Sequence, residues 1–205
     1  MQIESLEQAR DIEKELANQG WYIYSLQGES IASLQTQGFP VANRSWLRRH
    51  KDFGTIPAQL LRLAIKPDEL FIPGSNRLAF EQQKEAIEKE SKEIGKEYPG
   101  VKMILPSAAE AVELALQHLT ATGEKIYGGR YISTSDVIEL TEEAKDPFLA
   151  GKSEEEIKQL ITYRITVGNF TPKKNLDINP FYTLAYPFDP QRHPRNSYAA
   201  RILTL

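Results

Sequence analysis

The chain has 205 residues, 40% apolar and 26% charged, with a formal charge of −3; collagen-like, coiled-coil and disordered classes are excluded by this composition. It has no cysteine, which excludes disulfide staples, thiolate metal sites, iron–sulfur clusters and a cysteine nucleophile. No apolar run approaches the roughly 20 residues of a bilayer crossing, and the opening Met-Gln-Ile-Glu-Ser-Leu-Glu has acids where a secretory signal is basic, so a soluble, cytoplasmic protein outside the membrane is expected.

Ile3, Leu6, Ala9, Ile12 and Leu16 recur at helical spacing, and Gly20 follows as a left-handed cap. Trp21 to Leu26 has strand composition. A short helix is expected from Glu29 to Gln37, stopping at Gly38. Thr55 is placed to cap another, with Leu60, Leu61 and Leu63 buried, ending before Pro67. Leu70-Phe71-Ile72 reads as a strand, with Ser75 or Asn76 capping a long helix from Arg77 to Lys96. That helix carries only the narrow apolar stripe Phe80, Ala86, Ile87 and Ile94. Val101 to Leu105 reads as a strand, and Ser107-Ala108-Ala109-Glu110 is a capping box. The helix it opens carries Val112, Leu116 and Leu119 and ends at Gly123.

Gly128-Gly129 suggests a hairpin turn between Lys125–Tyr127 and Tyr131–Ser133. The alternative is a flexible turn exposing amides and the Arg130 guanidinium to an anion. Ser153 to Glu156 is a second capping box, and Tyr163 to Val167 alternates like a half-buried strand. From Arg164 onward the chain is +4, leaving −7 before it, and seven aromatics lie between Tyr163 and Leu205. Ile202, Leu203 and Leu205 predict a closing strand beside Tyr163–Val167.

The expected class is α+β: a helical N-terminal part, a small strand-helix-strand-helix unit in the middle and a β-rich aromatic C-terminal part. One domain with a shared core over 1–205 is expected. The possible subdivision is 1–68, 69–162 and 163–205.

The catalytic candidates are few. His50, His118 and His193 lack the spacing of a metal pair, so neither metal nor cofactor is indicated, and His118 is expected at the surface or the boundary of the core. No Walker loop or nucleophile elbow occurs. Glu90-Ser91-Lys92 imitates a nuclease Glu-x-Lys, but on a helix residues two apart diverge.

The expectation is therefore a non-enzymatic interaction or accessory protein with a protein partner. Its contact is placed on Tyr186, Phe188, Arg192, His193, Arg195 and Tyr198, because Tyr and Arg are frequent in binding hot spots. The alternative is a hydrolase or nucleic-acid-acting enzyme assembled from distant residues. Arg44, Trp46, Arg48 and Arg49 are candidates to hold phosphates and stack a base, although the overall pI near 5.7 is far from the basic values of nucleic-acid domains.

Overall fold

The computed structural model describes residues 6–41, 47, 50–139, 151–170, 176–182 and 197–205. The first half runs α1 (Leu6–Asn18), β1 (Tyr22–Ser25), α2 (Ile31–Thr36), α3 (Lys51–Thr55), β2 (Arg62–Ile65), α4 (Phe80–Glu97) and β3 (Lys102–Met103). It continues with α5 (Ala108–Thr122), β4 (Tyr131–Glu139), α6 (Glu154–Ile161), β5 (Thr162–Phe170), β6 (Leu176–Tyr182), β7 (Ser197–Tyr198) and β8 (Ile202–Thr204). Helices and strands mix as α+β. One sheet has the order β1-β2-β8-β3, the other β6-β5-β4-β7.

Helix α5 explains the layering. Its residues from Ala108 to Leu116 are all buried, as expected of a helix covered on every side. It packs Leu114 and Leu116 into one core with Leu63, Ile65 and Ile202 of the first sheet and Ile132, Ile165, Val167 and Ile178 of the second. The opposite face of the first sheet presents Ala64, Met103 and Leu203 to Ile12 and Leu16 of α1 and Ile87 of α4.

The capping box at Ser107 is present. Glu110 N–H donates to Ser107 Oγ at 3.2 Å, and Ser107 N–H donates to Glu110 Oε2 at 2.7 Å. At the other end Gly123 adopts φ 77°. Beside the same helix start, β4 is irregular between Ser133 and Val137, and the Asp136 carboxylate accepts the Ala108 N–H at 2.6 Å. An acid at a helix N-terminus is favourable. The second box also forms, with Ser153 N–H and Oγ–H both donating to Glu156.

Four expectations are corrected. The Thr55 helix does not form; Arg62–Ile65 is a strand, antiparallel to β1 on one side and β8 on the other. Leu63, Ala64 and Ile65 are all buried, so this strand shows none of the polar alternation that marks a half-exposed one. Ser75 does not cap α4; the N-cap position is Ala79, whose N–H donates to Gln82 Oε1. Gly128 turns the chain at φ 55°, but residues 125–127 form no strand, so the turn leads into β4 without making a hairpin. The closing strand forms in the other sheet, between β2 and β3, not beside β5. Two-sided pairing satisfies its backbone fully.

Candidate functional site

The segment running from β7 to β8 joins the two sheets, and it carries an aromatic ring to the molecule's surface. Ala199 and Ala200 between them are buried; Ala200 bridges Phe71, and Ala199 O accepts the Ile72 N–H at 3.0 Å. This brings Tyr198 against Phe71, ring centroids 5.0 Å apart. A polar cluster fixes the strand behind them. Gln83 Nε2 donates to Ser75 O at 2.9 Å and Ser197 O at 3.3 Å, Ser133 Oγ donates to Gln83 Oε1 at 2.7 Å, and Ser133 and Ser197 hydroxyls lie 2.8 Å apart. Ser75 Oγ accepts the Ala199 N–H.

Arg130 enters from the Gly128-Gly129 turn, its own N–H held by Tyr127 O at 2.9 Å. Its guanidinium carbon sits 4.8 Å from the Phe71 ring centroid and 5.4 Å from that of Tyr198, a cation–π arrangement with two rings. Among the described residues, none gives this guanidinium a carboxylate. Gly168 pairs with Tyr131 and lets the strands approach closely. A Cβ there would overlap the Arg130 carbonyl oxygen and stand 2.7 Å from the Tyr131 Cα.

The stack borders a cleft of about 380 Å³ whose lining includes Asp68, Phe71, His118, Glu124, Lys125 and Arg130. His118 overturns the expectation of a surface or boundary position: it is 1% exposed. Its Nδ1 shares a 2.7 Å hydrogen bond with the Tyr24 hydroxyl, and the Tyr22 and Tyr24 rings meet it edge-on. Its Nε2 is buried without a hydrogen-bond partner. Burial holds the imidazole below its ordinary pKa, against a weaker upward pull from Glu124. Burial also pushes the Tyr24 hydroxyl up to about 12, with Tyr22 adding to the shift. The pair is therefore neutral at physiological pH.

Of the residues singled out from sequence, Tyr198 lies in this site. Tyr186, Phe188, Arg192, His193 and Arg195 lie outside the described residues, as do Arg44, Trp46, Arg48 and Arg49. His50 begins α3 and does not line the cleft. Sequence reading missed Phe71 as a site residue; its contact with residue 200 leaves no local trace. His118 did leave one, standing four residues after the core residue Leu114. Glu90 and Ser91 are structural: Glu90 holds Arg201 at 2.6 Å and Ser91 Oγ accepts the Met103 N–H. Among the described residues, no group of three His, Asp or Glu is placed to hold a metal ion, and no helix is long and apolar enough to cross a membrane. No protein-family model, curated protein or solved structure matches the chain.

Proposed function

We propose that this protein acts by binding, as a non-enzymatic interaction or accessory protein, and that the face formed by Arg130, Phe71 and Tyr198 is its contact with a protein partner. The observation that carries this is the pre-assembled stack itself: an exposed arginine held over two aromatic rings. Arg and Tyr dominate binding hot spots, and anchors already ordered before association lose less side-chain entropy on binding. The segment preceding Tyr198 adds Arg192, His193 and Arg195 to the same stretch of sequence.

The hydrolase alternative has one observation in its favour, a histidine sharing a cleft with Asp68 and Glu124. Against it, His118 Nε2 is closed off from solvent, and among the described residues that line the cleft there is no serine or threonine to serve as a nucleophile.

The test is a pull-down from native cell extract with wild-type, Arg130→Ala and Tyr198→Ala baits, each with and without nuclease. The expected result is a set of proteins kept after nuclease and lost from both variants. Identical sets on all three baits, or loss of every band with nuclease, refutes the proposal. Unchanged thermal melting of Arg130→Ala confirms that the bait is folded.

A further inference from the structure

We propose that the Arg130 stack is a receptor for a single carboxylate on the partner, the side chain of one aspartate or glutamate in a peptide segment; this rests on the interaction reading above. The first reason is hydrogen-bonding capacity. Phe71 and Tyr198 attract the guanidinium charge through their ring faces, and a ring-face contact takes up no N–H, so the fork keeps its hydrogen-bonding capacity. A planar fork with a fixed orientation matches a carboxylate through two parallel bonds.

The second reason is the balance of charge. Asp68 and Glu124 line the same cleft as Lys125 and Arg130. A polyanion tracking along this surface passes two carboxylates as well as two cations, whereas a single carboxylate needs only the one cation. The electrostatics therefore select a peptide carboxylate over a nucleic-acid backbone.

The third reason lies inside the cleft. Around Gly128 and Gly129 there is open space where a side chain would otherwise stand, so a ligand can approach the turn backbone closely. The cleft volume of about 380 Å³ falls in the size range of sites for small ligands.

The experiment is an NMR titration of the full chain with N-acetyl-glutamate amide, its glutamine counterpart and an oligothymidylate. Signals followed are the Arg130 Nε–Hε group, the Gly128 and Gly129 amides and the His118 ring. The capped glutamate should move these signals saturably with an affinity on the order of millimolar, and the glutamine analogue should leave them in place. Arg130→Lys keeps the charge and loses the fork, so it should weaken the response by about tenfold. Equal response to glutamate and glutamine, an Arg130→Lys variant that binds as wild type, or tighter Arg130-dependent binding of the oligothymidylate overturns the proposal. If Arg130→Ala loses its protein partners while glutamate moves nothing, the interaction face stands and its carboxylate specificity is wrong. Pull-downs indifferent to Arg130 would remove the interaction reading itself.

Discussion

Gln83→Ala tests whether the polar cluster behind Tyr198 holds the two halves together. Gln83 is 4% exposed, and the substitution removes two well-formed hydrogen bonds, to Ser75 O at 2.9 Å and from Ser133 Oγ at 2.7 Å. Each contributes about 1 kcal/mol net. The longer contacts to Leu78 O and Ser197 O, at 3.4 and 3.3 Å, add little. Losing the buried γ-methylene adds about 0.8 kcal/mol. Ser75 O retains the Leu78 N–H, and Ser133 Oγ retains Ser197, so no orphaned group enlarges the loss. The expected destabilisation is about 3 kcal/mol, measured by urea unfolding with far-ultraviolet circular dichroism and an unchanged m-value. A cycle with Ser133→Ala should give a coupling of about 1 kcal/mol. A loss below about 1 kcal/mol, or zero coupling, would refute the reasoning. A structural role for the cluster also predicts that Gln83→Ala weakens partner capture, because it loosens the polar cluster behind Tyr198.

Other expectations are simpler. Leu116, 2% exposed at the centre of α5, should lose about 2–5 kcal/mol on change to Ala, and Ser107→Ala about 1 kcal/mol; Glu88→Gln on the exposed face of α4 should stay within about 0.5 kcal/mol. Because His118 has a folded-state pKa below its ordinary 6.5, the unfolded chain binds its proton first. Stability should therefore fall as pH drops through 6.5, by at most about 1.4 kcal/mol per pH unit, until the folded imidazole titrates. His118→Gln should flatten that slope in unfolding measured from pH 7.5 to 5.5; an unaltered slope contradicts the assignment. Gly168→Ala should cost about 3 kcal/mol or more, since it drives a methyl into Arg130 and Tyr131 backbone, and thermal melting reports it directly.

Legibility followed the range of the interactions. Ser107 with Glu110, Ser153 with Glu156 and the glycine at 123 act within a turn or two of helix, so their sequence signals are complete. The central strand β2 failed because its signal is spread over partners: β1 and β8 cover its edges, and residues of both cores cover its faces. A three-residue run buried on every side, Leu63 to Ile65, looks the same as a buried helical turn. At the site, Arg130 and Tyr198 were each legible as residue types suited to binding. Their meeting over Phe71 was not, because parallel pairing of β7 with β4 has no local sequence mark. His118 was misplaced because one polar residue on an apolar stripe satisfies either side of the helix until its partner, Tyr24, is known.

The central position of β8 also sets an order in time. Leu63 pairs with Thr204, roughly 140 positions later in the chain, and contacts so remote are slow to form because a long loop must close first. At about 5–20 residues per second of synthesis, β2 waits on the order of ten seconds or more before its second neighbour exists. During that interval the apolar run Leu63-Ala64-Ile65 presents one unpaired edge, a template for pairing with other chains. The nascent protein is therefore most exposed to aggregation at β2, far from the site it will carry once folded.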